Sequence, residues 1–105
     1  MFVSVTTVDS KGRPLEEATL VGQEMERWLR EIEGFQGLMM LHRDGTTVGL
    51  AFWESAEAAE RQRTIRHQFV ERITSVVEVD IQSIDEFELA FARLEPGVAD
   101  AGSGS

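Results

Sequence analysis

Hydrophobic and polar positions change their period along this chain, and each change marks an element. Residues Phe2 to Val8 are β-branched and aromatic with partial alternation, which predicts a strand, and the turn formers Asp9 to Gly12 end it. From Pro14 the apolar spacing turns helical. Ala18, Val21, Met25, Trp28 or Leu29, and Ile32 recur along one stripe, and Gly34 supplies the stop. Pro14 suits the first helical position. Glu16 and Glu17 then meet the positive end of the helix dipole, and Arg27 and Arg30 its negative end.

The stretch EGFQGLMMLHRDGTTVGLAFWE, Glu33 to Glu54, predicts two strands joined by a tight turn. Asp44-Gly45 is a favoured central pair for a two-residue type I′ turn, in which both residues need positive φ. That turn sets Gln36, Leu38, Met40 and His42 opposite Trp53, Ala51, Gly49 and Thr47 on one face. The other face carries Phe35, Met39, Leu41, Val48, Leu50 and Phe52. A half-solvated antiparallel sheet alternates apolar with polar residues, yet here both faces are apolar, and the chain's few helices can cover only one. The face bearing Met39, Leu41, Val48, Leu50 and Phe52 is therefore expected to meet a second copy of the chain in a homodimer.

Ser55 is the expected N-cap of a second helix running through AEAAERQRTIRHQFVERITSV. Ala58, Ile65, Phe69, Ile73 and Val76 form its apolar stripe, with Arg63, His67 and Glu71 on the other side and a break expected near Thr64. Glu78 to Leu94 returns as a strand with an irregular start, in which Phe87, Leu89 and Phe91 alternate with Glu86, Glu88 and Ala90. Residues 1–94 thus read as one domain. Residues 95–105, ending PGVADAGSGS, read as a disordered tail.

Composition narrows the function classes. A length of 105 residues suits one domain with a modest core that association would help to stabilise. A formal charge of -9 repels phosphate backbones and anionic membranes, so nucleic acid is a poor partner. The absence of cysteine excludes disulfides and thiolate sites, and the N-terminal residues lack the pattern of a signal peptide. No window approaches the roughly 18 apolar residues of a membrane span. A soluble protein of the cytoplasm is expected.

The order β-α-β-β-α-β predicts an α+β fold, a ferredoxin-like sandwich with an antiparallel sheet. The run EGFQG, the DG hairpin, and a strand ending in FWES before an Ala/Glu-rich helix resemble the antibiotic biosynthesis monooxygenase-like domains of the dimeric α/β-barrel superfamily. The resemblance spans about residues 2 to 92. It implies that two sheets pack face to face across a dimer to form a barrel. It implies less about activity, because the family includes oxygenases, haem-degrading enzymes, isomerases and members with no known reaction. In its cofactor-independent oxygenases, which act on aromatic polyketides, an Asn precedes the strand-end Trp by four residues and a Tyr follows it by six. Trp53 matches the Trp, whereas Gly49 and Ala59 occupy the other two places and the chain contains no Tyr. Haem-degrading relatives place a Trp and an axial His where this chain has Gln62 and Arg72.

Candidate chemistry is correspondingly sparse. Gly49 and Ala51 are small neighbours on one face, so an apolar pocket is expected beneath the helices beside Leu38, Met40 and Trp53. Gln36, His42 and Thr47 would be its few polar groups, with Gln36 and Thr47 joining the ligand-binding set. His42 and His67 are the candidates for proton transfer. Each residue also has a structural reading: Trp53 as a packing anchor, His42 and His67 as solvated side chains, and the methionines as core filler. Arg61, Arg63, Arg66 and Arg72 could steer an anion or simply pair with Glu57, Glu60 and Glu71. Two separated histidines make no metal site, and no cofactor is expected. The leading expectation is a homodimer that binds a small hydrophobic or aromatic ligand between sheet and helices. The alternatives are a cofactor-independent monooxygenase acting on a quinol or polyketide-like aromatic, and a structural or interaction module without a ligand.

Overall fold

The computed structural model describes residues 1–76 and 80–102, and of Val76 only the backbone. The expected strand start at Glu78, the place of Val76 in the helical stripe and the last three residues of the tail lie outside the described residues. Strand β1 (Phe2–Asp9) leads to helix α1 (Leu15–Leu29), then the hairpin β2 (Phe35–Arg43) and β3 (Thr46–Trp53). Helices α2 (Ala56–Arg61) and α3 (Arg63–Val76) precede β4 (Asp80–Glu88), and a short helix α4 (Pro96–Ala99) follows. The sheet order is β2-β3-β1-β4 with every pair antiparallel, which is the expected α+β ferredoxin-like arrangement.

Local chemistry explains most boundaries. Pro14 is the N-cap of α1 rather than its first residue, and Leu29 ends the helix earlier than the stripe suggested. Two tight turns, Ile32 N–H to Leu29 O and Phe35 N–H to Ile32 O, then carry the chain past Gly34, whose φ of 90° few other residues tolerate. Ser55 caps α2 by accepting a hydrogen bond from the Ala58 N–H at 3.0 Å. The expected break falls at Gln62, where φ -100 and ψ 15 leave the helical region and separate α2 from α3.

One turn assignment changes. Gly45 takes positive φ but Asp44 does not, so the hairpin turn is not type I′. The consecutive positive φ values occur instead at Lys11 and Gly12, closed by Arg13 N–H donating to Ser10 O at 3.1 Å. The hairpin register nevertheless holds from Gly37 onward, with Leu38 opposite Ala51, Met40 opposite Gly49 and His42 opposite Thr47.

Nearer the start of β2 the register slips. Phe35 faces Trp53 and Gly37 faces Phe52, so Gln36 is an extra residue in a bulge. One inserted residue turns Phe35 from the outer face to the helix side, where its ring meets Trp53 edge-on at 5.7 Å. Gln36 is left exposed rather than on the pocket face. A second irregularity lies between β1 and β4, where Thr7 pairs with Ser83 and Val8 with Ile81.

The core gathers at the Trp53 end of the sandwich. Leu29, Trp53, Ala59 and Phe69 are buried together, and Phe2, Met25, Trp28 and Phe35 pack around them. Trp28 stacks on Phe69 at 4.6 Å and 19°, joining α1 to α3. The Phe87–Leu89–Phe91 alternation survives only in part: β4 ends at Glu88, the Leu89 N–H still donates to Met1 O, and Phe91 is 83% exposed. In the tail, Pro96–Ala99 forms a helical turn, and Gln23 Nε2 donates to Gly102 O at 2.8 Å.

Candidate functional site

Beyond the core, toward the β2–β3 turn, the sheet and helices separate around a cavity of about 130 Å³. The spacing of the strands sets its floor. Alternate residues of β1 point to the helices, and pairing with β3 places Ser4 beside Ala51, Thr6 beside Gly49 and Val8 beside Thr47. Helix α1 roofs it with Ala18, Val21 and Met25, and α3 closes one side with Phe69, Val70 and Ile73. This is a largely apolar chamber, with the Ser4 and Thr6 side chains on its floor and further polar groups at its hairpin end.

Those polar groups are held by short connections. Ser10 follows β1 directly, its N–H donating to Gly45 O at 3.1 Å, and is 4% exposed. The Lys11–Gly12 turn brings Arg13 back over it, and the Arg13 guanidinium pairs with the Glu17 carboxylate at 2.6 Å. His42 Nδ1 and Thr47 Oγ1 share a hydrogen bond of 3.1 Å across the hairpin. Arg13 and Glu17 therefore neutralise one another, and His42 is already engaged. Ser10 is different: its hydroxyl is buried and has no hydrogen-bond partner among the described residues.

Of the residues expected from the sequence to bind a ligand, Leu38, Met40, Thr47, Gly49 and Ala51 line the cavity, and so does His42. Gln36 does not, because of the bulge. Trp53 lies on the same side of the sheet but sits 1% exposed within the core, and it is not among the cavity-lining residues. Its indole N–H, like the Ser10 hydroxyl, lacks a partner among the described residues. His67 is exposed on α3 and does not join His42.

The space directly over Gly49 is occupied. A Cβ on Gly49 would lie 3.4 Å from the Met40 Sδ, and one on Gly22 would lie 2.9 Å from the Met40 Cγ. Met40 is thus threaded between a glycine of the strand and a glycine of the helix, and the cavity opens beside it. The Ser10, Arg13 and Glu17 end of the site was missed from the sequence. Alternation along the first strand puts Ser4, Thr6 and Val8 on one face and carries that face on to Ser10 just beyond it, but gives no sign of Arg13 and Glu17.

Two arginines of α3 pack on aromatic rings and a third pairs with an acid at the surface. Arg66 lies 5.4 Å from the Trp53 ring centre and donates to Ala59 O at 2.7 Å, and Arg72 lies 5.8 Å from the Trp28 ring centre. Arg63 pairs with Glu60 at 3.2 Å. Gln62 at the helix break and Arg72 against Trp28 offer no haem ligation, so the residues at those places do not fit a haem. Among the described residues, no three His, Asp or Glu side chains are grouped as a metal ion requires. No helix among them is long and apolar enough to cross a membrane.

No protein-family model matches the sequence, and no curated protein sequence matches it. Solved structures do match. A proposed antibiotic biosynthesis monooxygenase from Deinococcus radiodurans is similar over 92% of this chain and 100% of its own, with a TM-score of 0.63 at 15% identity. The monooxygenase from the gene ActVA-Orf6 of Streptomyces coelicolor, determined in complex with nanaomycin D, is similar over 90% of this chain and 91% of its own, with a TM-score of 0.64 at 22% identity. The protein YJCS is similar over 84% of this chain and 97% of its own, with a TM-score of 0.59 at 12% identity. The chain thus has the fold of antibiotic biosynthesis monooxygenase-type proteins.

Proposed function

We propose that this chain is a homodimeric binding protein for a small hydrophobic or aromatic molecule, taken up between the sheet and helices α1 and α3. The carrying observation is the apolar cavity of about 130 Å³. An engineered apolar cavity of about 150 Å³ accepts benzene, so a single ring is the matching size. The contact set is Leu38, Met40, Thr47, Gly49 and Ala51, with His42 at the polar end. The second copy covers the sheet face that bears Met39, Leu41, Val48, Leu50 and Phe52. We place the dimer in the cytoplasm.

Calorimetric titration with toluene tests the binding reading. Saturable binding to the wild-type chain, weakened at least tenfold in Ala51→Leu, supports it. No heat of binding at any concentration up to toluene saturation refutes it.

The Streptomyces structure, a monooxygenase holding nanaomycin D in the same fold, favours a second reading, oxidation of a quinol or polyketide-like aromatic without a cofactor. Trp53 is buried outside the cavity lining, and His42 is the one histidine that reaches the cavity. Oxygen uptake with a panel of aromatic quinols, abolished in His42→Ala, would support oxidation. Uptake indistinguishable from the uncatalysed rate removes it.

A further inference from the structure

We propose that the cavity is polarised, with Thr6 as its anchor and Ser4 as a second contact, and that its ligand is a neutral molecule carrying one hydroxyl or carbonyl oxygen on a hydrocarbon body, bound with the oxygen on the sheet and the hydrocarbon against the helices. The inference rests on the binding reading above and adds to it the polarity of the ligand and the way it faces.

The two walls of the cavity differ in chemistry. The helix side presents Ala18, Val21, Met25, Phe69 and Ile73, which offer only hydrocarbon and a thioether. The sheet side presents Ser4 and Thr6 from β1, at positions where valine would suit a strand as well and bury more apolar surface. Because β1 lies between β3 and β4, side chains on this face are reached from the helix side. Thr6 stands between Gly49 and Ile84 on the adjoining strands, and neither has a side-chain polar atom to meet its hydroxyl. Ser4 has Ala51 on one side and the exposed Glu86 on the other. Neither hydroxyl has a hydrogen-bond partner among the described residues, and neither is sealed off as the Ser10 hydroxyl and the Trp53 indole N–H are. Other polar groups of the lining are engaged: Thr47 with His42, and the Thr74 hydroxyl, which donates to Val70 O at 3.0 Å. Arg13 and Glu17 neutralise one another at the hairpin end, so no free charge there favours an ionised ligand. A ligand oxygen over Thr6 supplies the missing hydrogen bond, and because a hydroxyl both donates and accepts, it serves an alcohol, a phenol or a ketone.

The test titrates toluene and p-cresol, rings of similar size that differ by one hydroxyl, against wild type, Thr6→Val and Ser4→Ala. The wild-type chain is expected to prefer p-cresol. Thr6→Val keeps the shape of the side chain and removes its hydroxyl, so that preference falls roughly fivefold, the worth of one hydrogen bond, while toluene affinity stays within about a factor of two. Ser4→Ala gives a smaller fall. The free Thr6→Val chain melts at or above the wild-type temperature, because the lost hydroxyl had no partner. In the wild-type complex, nuclear Overhauser contacts from the p-cresol methyl group run to Val21 and Met25, since that group points away from the sheet. Unchanged preference in Thr6→Val, or methyl contacts to Ala51 in place of Val21 and Met25, overturns the proposal and leaves the binding reading intact. A lowered melting temperature of Thr6→Val also overturns it, since the hydroxyl would then support the fold. Failure of both compounds to bind the wild-type chain sinks the binding reading and this proposal together.

Discussion

At the scale of single residues, two backbone positions and one side chain carry unusual demands. Lys11 holds φ at 53°, a left-handed conformation that costs a residue with a Cβ roughly 1–2 kcal/mol. Its ion pair with Asp80, at 3.6 Å between exposed groups, returns little of that. Lys11→Gly is therefore expected to raise stability by about 0.5–1 kcal/mol in urea unfolding, after allowing for the greater chain entropy of glycine. Gly34 is the opposite case. Its φ is 90°, and a Cβ there would lie 2.9 Å from the Ala58 Cβ, so Gly34→Ala meets both backbone strain and a clash. A loss of about 2–4 kcal/mol is expected in the same measurement. Met40, lying between Gly22 and Gly49, fills space that the cavity would otherwise claim. Met40→Ala should cost about 2 kcal/mol and shift the ligand preference from toluene toward naphthalene, which paired titrations would show.

Elements are where the sequence was most legible and where its limits are clearest. Periodicity placed α1, the hairpin and the helix after Ser55 because each buries one stripe or face, and burial is what hydrophobic spacing records. It could not place the bulge at Gln36. Strict alternation assigns Phe35 to the outer face, and only the packing of Phe35 against Trp53 shows that an inserted residue has reversed it. Residue preference favours Asp44-Gly45 over Lys11-Gly12 as the left-handed pair, yet Lys11 and Gly12 adopt it, because the choice depends on what the flanking elements require. The candidate site was half legible. Its β2 and β3 residues followed from the hairpin register, whereas Ser10 and the Arg13–Glu17 pair depended on how β1 leads into α1. The α1–α3 contact adds an expectation: Trp28 stacks on Phe69 under the Arg72 guanidinium, so Trp28→Ala should lower stability by about 2–3 kcal/mol, with Arg72→Ala costing under 1 kcal/mol.

For the whole molecule, the sheet divides the protein into two problems. Its helix side holds a dense core at the Trp53 end and the cavity toward the hairpin. On the outer side, Val3 is buried between Phe52 and Phe87, its neighbours on the two adjoining strands, while Leu41 is 50% and Phe87 56% exposed. An apolar face of this kind is what the proposed dimer covers. Light scattering at micromolar concentration should give twice the chain mass of 11.8 kDa, and Leu41→Glu should return it to the single value. A ligand cavity and a dimer face on opposite sides of one sheet would let association support the floor of the site. The most direct test of the central claim is a ¹⁵N amide chemical-shift titration with toluene. Saturable shifts centred on Ala18, Gly49 and Ala51, with Val5 and Leu50 amides following only weakly, are the predicted result. Shifts centred on the outer-face residues, or none before toluene reaches saturation, would contradict it.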